Sequence, residues 1–595
     1  MDGDKDLMIF SPAPGPGWQR LDAFLGGELA GRLSREKVKK AILLGRARLN
    51  GTVCRLPKSK VRAGDRLELD LGGGFALELA GDEAPPAPER KELNILYQDV
   101  DLAVLNKPAG LTVHPCPSCP SGTLVNRLLA HFPELALMPP QSQEQKFGQP
   151  AHRPGIVHRL DKDTTGLMLV ALHEEARLAL AGAFAGREVY KEYLALAHGV
   201  PAVAAGRIDA PLGRHPKQKT RMAVVEKGGR EALSDYRTLY ADPAGNFSLL
   251  AVRIHTGRTH QVRVHLHRLG HPIIGDSTYF DFGVTRALLP ACASPEEARG
   301  FMSGLAQRPL LHAWKISFRH PGSRAEMSFT CPPPPDFYRA ARLLSRATRR
   351  LALTGNVGCG KSSVLELLRK KGIPVWSADQ AVAESYQAGG DGWRVLHAAF
   401  GGRFTPDPVR GVDKKALFQA MCDDAAVRRE VERLVHPIAR QSQEDFFRAH
   451  DFWRRAGCAG KLEQPAEAEF SDLPDLPDIA VAEIPLFFES ARPAARVGGP
   501  ARPLLVLGVH CPFSVRAGRL RQYRGWPDGI IAKMESWQWE ENRKMRACDL
   551  VLDNSGPLEK LEPGLDAVLA EVAGLERRRL DAIEAELRAL AEDLL

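Results

Sequence analysis

The sequence lacks the features that mark membrane and secreted proteins. No run of about 18 apolar residues is present, which argues against an ordinary membrane-spanning helix. The N-terminal "MDGDKDLMIF" has no basic segment followed by an apolar one, as a signal peptide would have. Ten cysteines scattered over 595 residues do not form a disulfide framework. We therefore expect a cytoplasmic protein with no membrane partner.

The cysteines include one tight pair, Cys116 and Cys119 in "HPCPSCP". Their spacing is that of a zinc-ligand pair, but the sequence offers no second CxxC pair to complete a site. The alternative is a loop fixed by prolines and carrying free thiols. We expect that loop.

Length and charge indicate several domains and an anionic partner. A chain of 595 residues predicts three or four domains, and 44% hydrophobic residues suffice for their cores. The net charge of +9 is modest, but basic residues outnumber acidic ones about two to one between residues 20 and 70. The charge is therefore most informative near the N-terminus.

Two changes in composition mark domain boundaries. "LGGGFALELAGDEAPPAPERKE" is rich in Gly, Pro and acid, and "CPPPPDFYRAARLLSRATRR" contains four successive prolines, which exclude a central strand or helix interior. Residues 458–478 are predicted to be a surface insertion because of their prolines and acids. The expected organisation is a small module at 18–73, a domain at 91–330, a linker at 331–349, a domain at 350–570 and an amphipathic helix at 571–595. That helix packs on its own domain or on a partner, and we expect the former.

The N-terminal module combines two short helical patterns with β-like segments and carries a basic cluster. Such a surface can neutralise backbone phosphates of RNA, although a charged run is also typical of a solvated helix face. The motifs "RLD..L", "SR..V...I..G...LNG" and "V..GD.L.L" resemble the small RNA-binding domain of ribosomal small-subunit protein four. The resemblance implies an α+β fold and RNA binding. The candidate RNA-binding residues are Lys37, Lys39, Lys40, Arg46 and Arg48.

The middle domain contains "NKPAGLTVHP", "GIVHRLDKDTTGLMLVA", "KEYLALAHG", "TGRTHQVRVH" and "HPIIGDSTY". Taken singly, each could be a turn with charged neighbours. Together they resemble the large-subunit-type ribosomal pseudouridine synthases over about residues 91–321. The resemblance implies a mixed α+β domain with a mainly antiparallel sheet, which isomerises a uridine in structured RNA without a cofactor.

The chemistry of the reaction fits the residues that the motifs supply. A carboxylate beside the sugar acts as nucleophile or stabilises a cationic sugar, and the motif position gives this role to Asp161. A paired arginine keeps that carboxylate ionised, which the resemblance assigns to Arg263 rather than Arg258. The tyrosine that holds the detached base is Tyr193 by motif position, with Tyr190 as an alternative.

Three further residues of this domain are expected to support RNA binding. The resemblance implies that His158 and Arg159 support the RNA and the catalytic loop, with Arg159 beside a flipped-out nucleotide. Arg258 is also expected to bind RNA.

The last large domain begins with a phosphate-binding motif. "GNVGCGKS" matches GxxxxGK[ST], follows the apolar "RLALT" and leads into a helical pattern. Glycines there allow backbone N–H groups to face phosphates. The motif predicts that Lys361 reaches the β- and γ-phosphates of ATP and that Ser362 ligates Mg²⁺. The nucleotide-binding residues are Gly355, Asn356, Val357, Gly358, Cys359, Gly360, Lys361, Ser362 and Ser363.

The phosphate acceptor is indicated by the segments C-terminal to this loop. "GIPVWSADQ" places Asp379 after a second strand, where it could accept the proton of a substrate hydroxyl or merely cap a helix. "LTGNVGCGKS", "GIPVWSADQ", "LVHPIAR", "EIPLFFES" and "DLVLDNSG" resemble dephospho-coenzyme A kinase over about residues 350–569. The resemblance implies an α/β domain with a parallel sheet that phosphorylates the ribose 3′-hydroxyl of dephospho-CoA.

The kinase resemblance has departures. Glu483 stands where the family usually has aspartate. Tyr523 occupies the position of an expected lid arginine, for which Arg521, Arg524 or Lys544 could substitute. The main hypothesis is therefore a bifunctional enzyme, and the alternative is a synthase with a regulatory or degraded nucleotide-binding module. No helicase-type motif supports an RNA-remodelling ATPase.

Overall fold

The computed structural model describes residues 7–13, 17–29, 35–71, 86–116, 118–139, 153–218, 221–288, 294–407, 409–451, 478–489 and 504–592. These residues belong to two compact units, of which the first comprises Met1–Glu192 with His312–Cys331 and the second Tyr193–Leu311 with Pro332–Leu595. The predicted insertion lies outside the described residues except for Asp478. Among the described residues, no helix has both the length and the apolar character needed to cross a membrane.

The strands alternate with helices in a different pattern in each part of the chain. The strands of the described residues are β1 (Leu7–Phe10), β2 (Gln19–Arg20), β3 (Ala47–Leu49), β4 (Thr52–Cys54), β5 (Lys60–Val61), β6 (Leu67–Asp70), β7 (Ile95–Gln98), β8 (Leu102–Lys107), β9 (Thr165–Ala171), β10 (Tyr190–His198), β11 (Ala205–Asp209), β12 (Leu212–Arg214), β13 (Met222–Val224), β14 (Leu233–Ala241), β15 (Phe247–Ile254), β16 (Leu311–Arg319), β17 (Glu326–Thr330), β18 (Arg349–Thr354), β19 (Val375–Ser377), β20 (Ile479–Glu483), β21 (Leu505–His510) and β22 (Leu550–Asp553).

Most of the described α-helices begin in the first two thirds of the chain, but the two longest, Ala425–Ala449 and Leu561–Glu592, lie in the last third. The α-helices are α1 (Leu21–Glu28), α2 (Arg35–Leu43), α3 (Leu124–His131), α4 (Glu174–Ala185), α5 (Gln261–Arg268), α6 (Phe282–Leu288), α7 (Pro295–Leu305), α8 (Pro335–Leu344), α9 (Lys361–Lys370), α10 (Ala378–Ser385), α11 (Asp391–Phe400), α12 (Lys414–Asp423), α13 (Ala425–Ala449), α14 (Phe513–Arg524), α15 (Asp528–Ser536), α16 (Glu541–Arg546) and α17 (Leu561–Glu592). Short 3₁₀ helices lie at Pro133–Leu137, Gly401–Arg403 and Leu558–Lys560.

The N-terminal module is a small α+β fold, as the sequence predicts. Its antiparallel sheet has the order β1-β6-β3-β4, so β1 adds a strand that lies before the predicted boundary at residue 18. Helices α1 and α2 are joined by Asp22, whose buried carboxylate accepts hydrogen bonds from Arg20 and Arg35 at 2.8–3.1 Å. Because this ion pair lies at the starts of both helices, it fixes the position of one helix relative to the other.

The first unit also contains the mixed sheet β16-β9-β8-β7, with β17 beside β16. Strands β8 and β9 pair antiparallel, whereas β9 and β16 pair parallel. All of β9 is buried, which explains its unbroken apolar sequence "TGLMLVA". Gly166 in β9 has φ +109°, and a Cβ there would lie 2.2 Å from the carbonyl oxygen of Ala313. Only glycine allows β9 to approach β16 so closely.

The second unit begins with antiparallel strands in the order β11-β14-β15-β10 and then continues into an α/β domain. The α/β domain has a parallel sheet in the order β19-β20-β18-β21-β22. The chain leaves β18 toward one edge and later returns to the other, so β18 lies at the point where the strand order reverses. Ligands of open α/β sheets bind at the carboxyl end of such strands. The predicted mixed α+β domain and the predicted parallel α/β domain are confirmed.

The segment between the two large domains is helical, although its four prolines predict a break. Helix α8 begins at the last of them, Pro335, because proline is tolerated in the first turn. Asp336 accepts two hydrogen bonds from the guanidinium group of Arg308, at 2.7 Å and 2.9 Å, and so fixes the start of the helix. Phe337 and Leu344 are buried on its inner face. The predicted linker is thus a packed element.

The C-terminal helix α17 begins at Leu561, before its predicted start at residue 571. Its two halves pack against different parts of the second unit. Its first half buries Leu565 and Leu569 in the core of the α/β domain. Its second half packs on α8, where Arg342 pairs with Asp581 at 2.5 Å. The helix therefore packs within its own unit.

Candidate active sites

The loop that carries Asp161 precedes the buried strand β9 and is anchored by Lys107. Lys107 is 1% exposed, and its ammonium group donates to the carbonyl oxygens of Pro108, Leu111 and Lys162 at 2.8, 3.0 and 2.8 Å. The last of these carbonyls belongs to the residue after Asp161, and Asp161 itself is half-buried. The buried cation therefore fixes the backbone beside the predicted catalytic carboxylate.

Sequence reasoning did not give Lys107 a role. The signal available was its place in "NKPAGLTVHP", where a lysine follows five apolar or amide residues of β8 at the end of a buried strand. A lysine in such a position needs several acceptors, because a buried charge is costly when unpaired.

His158 supports the same loop through its ring. Its Nε2 accepts a hydrogen bond from the backbone N–H of Leu169 at 2.8 Å, and the ring stacks on Phe184 at 4.6 Å. Burial, together with the positive charge of Lys191, lowers the pKa of His158 to about 3. A neutral imidazole that accepts from the backbone holds the loop to β9 rather than transferring protons. Arg159, one residue further, is exposed.

The Cys116–Cys119 pair forms a tight turn. The two residues exchange both backbone hydrogen bonds, each 2.9 Å long. Within the described residues, the potential metal-ligand group is Asp99, Asp101 and His320, which does not include either cysteine. Neither Cys116 nor Cys119 forms a disulfide.

The second unit contains three of the other predicted synthase residues, Tyr193, Arg258 and Arg263, whereas the alternative Tyr190 lies in the first. Arg263 on α5 is 7% exposed and makes a two-point ion pair with Asp276, at 2.6 Å from Nε and 2.8 Å from Nη2. Its guanidinium also lies 5.1 Å from the ring of Tyr279. Tyr193 is 8% exposed in β10, whereas Tyr190 at the start of that strand is half-buried. Each of the two candidate catalytic groups is thus held in a fixed conformation.

Because Asp161 belongs to the first unit and Tyr193 and Arg263 to the second, their catalytic pairing stays a prediction. Arg258 is half-buried and donates from Nε to the carbonyl oxygen of Glu231 at 2.9 Å. The different roles of Arg258 and Arg263 stay a prediction.

The basic cluster of the N-terminal module is only partly described. The side chains of Lys37 and Lys40 lie outside the described residues. Arg48 is exposed, Lys39 is half-buried, and Arg46 pairs with Asp70 at 3.0 Å. The pairing reduces the charge that Arg46 can offer to a phosphate, so Arg48 is the better-placed candidate.

The phosphate-binding loop connects β18 to α9. Gly355, Gly358 and Gly360 have φ values of +154°, +79° and +93°, and a Cβ on Gly360 would lie 2.1 Å from Nδ2 of Asn554. Lys361 donates to the carbonyl oxygen of Gly355 at 3.0 Å. The loop therefore has the left-handed glycines and the inward lysine that a phosphate cradle requires.

The remaining residues of this loop are Asn356, Val357, Cys359, Ser362 and Ser363. Cys359 is fully buried, Ser362 is exposed at the first turn of α9, and Ser363 is half-buried beside it. An exposed hydroxyl directly after the lysine suits a metal ligand.

The loop is held from outside by side chains that contact its carbonyl groups. Asn554, after β22, donates from Nδ2 to the carbonyl oxygen of Cys359 at 2.8 Å. Arg516 on α14 is 1% exposed and donates to the carbonyl oxygen of Val357 at 3.0 Å and to Glu535 at 2.8 Å through both terminal nitrogens. Two backbone N–H groups of the loop are also engaged, that of Val357 with Oε1 of Gln538 at 2.9 Å and that of Cys359 with the carbonyl oxygen of Asn356 at 3.2 Å.

Asp379 lies in the first turn of α10, where it is exposed and lines a cavity of about 580 Å³. Most of the cavity wall is apolar, with Trp376, Tyr386 and Phe418 among its side chains. Glu483, at the end of β20, is 5% exposed and accepts a hydrogen bond from Ser377 at 2.7 Å. A carboxylate at the mouth of an apolar cavity suits an acceptor with a planar base and a reactive hydroxyl.

The structure separates the lid candidates. Tyr523 is 76% exposed, and Arg521 pairs with exposed Asp528 at 2.7 Å. Arg524 lies over the ring of Trp526 at 5.4 Å. These three side chains are therefore occupied or turned to solvent.

Lys544 is fully buried and pairs with Glu489 at 2.7 Å. Burial lowers the pKa of Lys544, although Glu489 opposes this, and the charge of Lys361 adds to the lowering. Arg519, which sequence reasoning missed, donates to the carbonyl oxygen of Gly556 at 3.3 Å, and its Nη1 lies 3.9 Å from where a Cβ of Gly360 would be. Arg519 is thus a second α14 cation, besides Arg516, that lies beside the phosphate-binding loop.

Two family models match the chain. One, described as RNA pseudouridylate synthase, matches residues 101–268, and the other, described as dephospho-CoA kinase, matches residues 349–451. They lie on either side of α8 in the sequence.

Known proteins are similar to each of the two parts. Ribosomal large subunit pseudouridine synthase D of Vibrio parahaemolyticus is 38% identical over 56% of this chain and 94% of its own length. An uncharacterised RNA pseudouridine synthase of Synechocystis is 38% identical over 53% of this chain and 86% of its own. A solved dephospho-CoA kinase from Campylobacter jejuni aligns at 15% identity with a TM-score of 0.23, over 38% of this chain and 97% of its own. The chain therefore belongs to the RNA pseudouridine synthase family, and its residues 349–451 match the dephospho-CoA kinase family model.

Proposed function

We propose that this protein catalyses two independent reactions, isomerisation of a uridine to pseudouridine in RNA and ATP-dependent phosphorylation of the 3′-hydroxyl of dephospho-CoA. The observation that carries the proposal is that each half has its own anchored catalytic loop. Lys107 fixes the loop of Asp161, whereas Arg516 and Asn554 fix the phosphate-binding loop. The proposed domains are those at 18–73, 91–330 and 350–570, with α8 joining the last two.

In the synthase half, Asp161 is proposed to attack or stabilise the sugar, and Arg263 to keep that carboxylate ionised. Tyr193 holds the detached base while it turns, and no cofactor takes part. Arg159 and Arg258 contact the RNA. Because the Vibrio relative is named for the ribosomal large subunit, large-subunit ribosomal RNA is the proposed substrate.

The N-terminal module is proposed to bind the same RNA. This proposal is supported by the basic surface that includes exposed Arg48 and by the order of the motifs in the module. Phosphate contacts of this kind position an RNA without reading its sequence.

In the kinase half, the glycine turns are proposed to bind the phosphates of ATP, with Lys361 on the β- and γ-phosphates and Ser362 on Mg²⁺. The residues fit this group, since a Cβ at Gly360 would collide with Asn554 and the loop carbonyls are already engaged. Asp379 accepts the proton of the 3′-hydroxyl, while the adjoining cavity holds the apolar part of the acceptor.

The synthase proposal is tested with Asp161→Asn. Ribosomal RNA is incubated with the wild-type and variant proteins, and new pseudouridines are mapped. We expect isomer formation to be lost in the variant and RNA binding to change less than about twofold, because the amide keeps the shape but removes the charge. Normal turnover by the variant would exclude Asp161 as the catalytic group.

The kinase proposal is tested with Lys361→Ala in an ATP-consumption assay with dephospho-CoA. Phosphorylation should fall by roughly a thousandfold or more, because the lysine stabilises charge on the transferred phosphoryl group. Pseudouridine formation should be unchanged. Absence of any dephospho-CoA-dependent ATP consumption by the wild-type protein would favour the alternative of a regulatory nucleotide-binding module.

A further inference from the structure

Cys116 and Cys119 carry two thiols that neither proposed reaction uses. The two residues exchange both backbone hydrogen bonds, each 2.9 Å long, and so lie directly opposite each other in an antiparallel pair. The Cα atoms of such a pair are about 5.5 Å apart, and a disulfide joins Cα atoms that are about 4.4–6.8 Å apart. Both residues are half-buried, which leaves them within reach of a small oxidant. We call Cys116 and Cys119 the thiol pair.

The two thiols make different hydrogen bonds. Sγ of Cys116 lies 3.3 Å from Oγ of Ser118, whereas Sγ of Cys119 donates to the carbonyl oxygen of Ser121 at 3.3 Å. The Ser118 hydroxyl lowers the pKa of the Cys116 thiol, with help from backbone N–H groups and the charge of Arg159, although burial opposes the change. Because the thiolate is the reactive form, Cys116 reacts first with an oxidant. Cys119 keeps its proton and lies opposite, where it can react with the product of that step.

Arg159 places a positive charge beside the thiol pair. It lies two residues before Asp161, in the same unit as the thiol pair, and its side chain is exposed. Within the described part of the chain, no carboxylate forms an ion pair with Arg159. Burial and the charges of Arg153 and Arg159 also lower the pKa of nearby His114 to about 3. A cation at this position disfavours a metal ion on the thiol pair and attracts an anion.

Oxidation of the thiol pair by a hydroperoxide can take two courses. The Cys116 thiolate attacks the hydroxyl oxygen of the peroxide, which forms an S–O bond, breaks the O–O bond and releases an alkoxide or hydroxide ion. The sulfur is oxidised and the peroxide reduced by two electrons. The Cys119 thiol can then attack the sulfenic sulfur, with loss of water, to give a disulfide. Without that second thiol, another hydroperoxide transfers an oxygen atom and converts the sulfenic acid to a sulfinic acid.

The two products differ in charge and in reversibility. A disulfide is neutral, and a dithiol reduces it to the original thiols. A sulfinic acid ionises at neutral pH and is not reduced by thiols. Its two oxygens carry the negative charge, so it would pair with the guanidinium of Arg159 as a carboxylate does. Such a pair would occupy the charge that an RNA phosphate needs.

We propose that the thiol pair is a hydroperoxide-reactive redox site, in which Cys119 protects Arg159 by converting oxidised Cys116 to a reducible disulfide before it becomes a sulfinate. The disulfide follows from the geometry of the turn alone. The consequence for RNA rests on the proposed synthase function and on the contact of Arg159 with RNA. The two parts are therefore tested separately.

The first test identifies the oxidation products. Full-chain wild type, Cys116→Ser and Cys119→Ser are treated with hydrogen peroxide, remaining thiols are alkylated, and peptides are identified by mass spectrometry. The wild type should give the Cys116–Cys119 disulfide, Cys119→Ser should give sulfinic acid at Cys116, and Cys116→Ser should give neither.

Cys54 is the matched control in the same samples, because it is also half-buried and its thiol contacts the hydroxyl of Ser59 at 3.1 Å. Cys116 should react at least about tenfold faster than Cys54, since the thiolate fraction sets the rate. Absence of the disulfide in the wild type, or equal rates at Cys116 and Cys54, would overturn the redox site.

The second test measures pseudouridine formation in ribosomal RNA after the peroxide is removed with catalase. In oxidised Cys119→Ser, the KM for RNA should rise about tenfold and stay raised after dithiothreitol, the scale of one charged hydrogen bond. Wild type should recover fully with dithiothreitol, and Cys116→Ser should not respond to peroxide. In Cys119→Ser with Arg159→Gln, peroxide should cause no further rise, because the charge that the sulfinate would occupy is gone.

The outcomes separate the redox site from the proposed synthase function. An unchanged KM in Cys119→Ser that carries the sulfinic acid would overturn the protection of Arg159, as would an equal rise in the variant that lacks Arg159. If the untreated wild type isomerises no uridine, the proposed synthase function fails, whereas the mass spectra still decide whether the thiol pair is a redox site.

Discussion

The loop of Asp161 and the phosphate-binding loop are anchored by elements at different distances along the chain. The loop of Asp161 is fixed by Lys107, at the end of a strand that pairs directly with β9. The phosphate-binding loop is fixed by Arg516 and Asn554, which come from elements far along the chain. In both cases a side chain donates to backbone carbonyls. Only the phosphate-binding loop is held by a residue of α14, the helix that carries the predicted lid positions.

The difference has a physical consequence for how each loop responds to change. A buried ammonium group with three carbonyl acceptors is compact and local, so the synthase loop depends on few other parts of the molecule. Arg516 links Val357 to Glu535, so displacement of α14 or α15 alters the phosphate-binding loop as well. The loop of Asp161 therefore depends on a local anchor, whereas the geometry of the phosphate-binding loop depends on α14 and α15.

Lys107→Met removes the anchor of the Asp161 loop and should have the largest effect of the three anchor substitutions. The substitution leaves three carbonyl groups without their buried donor, and we expect a loss of about 3 kcal/mol in the free energy of unfolding together with loss of pseudouridine formation. Chemical denaturation followed by a probe in the first unit measures the former. Kinase activity should be unchanged.

Lys162→Ala is the matched control for Lys107. Its carbonyl accepts the bond from Lys107, but its own side chain is exposed, so its removal should cost less than about 0.5 kcal/mol. Equal destabilisation by both substitutions would mean that Lys107 does not anchor the loop.

Local motifs predicted the two catalytic loops, because each is encoded within a short stretch of sequence. "GNVGCGKS" specifies left-handed glycines and a lysine, and the structure has them at Gly358, Gly360 and Lys361. The residues that hold these loops were not predicted. Arg516 and Asn554 act across contacts between distant parts of the chain, which no local pattern reveals.

The helix α8 shows a similar limit. Four prolines predicted a break, and proline chemistry does exclude a helix before Pro335, but the same residue is a favourable helix start. The lid cation was sought at Arg521, Arg524 and Lys544. Arg519 reaches the loop instead, because its position on α14 points it toward Gly360 and Gly556.

Arg516→Gln tests the anchor of the phosphate-binding loop and should have a smaller effect than Lys107→Met. The variant loses an ion pair with Glu535 that is partly open to solvent, so we expect a loss of about 2 kcal/mol in stability. The kcat/KM for ATP should fall by about tenfold or more, because Val357 and the lid lose their common anchor. Steady-state kinetics with dephospho-CoA in excess measures this change.

Arg521→Gln, on the same helix, is the control for Arg516. Its ion pair with Asp528 is exposed at both ends and should contribute less than about 1 kcal/mol. Unaltered ATP kinetics in Arg516→Gln would show that the phosphate-binding loop does not depend on the lid.

Asn554→Ala should have the smallest effect of the three, because it removes one uncharged hydrogen bond, from Nδ2 to the carbonyl oxygen of Cys359. Such a bond contributes about 1 kcal/mol, so the KM for ATP should rise severalfold with little change in kcat. The substitution also removes the atom nearest to Gly360, which gives the loop space to relax rather than forcing it open. Ser555→Ala, which alters a hydroxyl bound to Asp553, is the control. A loss as large as that of Arg516→Gln would mean that the loop is held mainly from the β22 side, and the lid would no longer be its controlling contact.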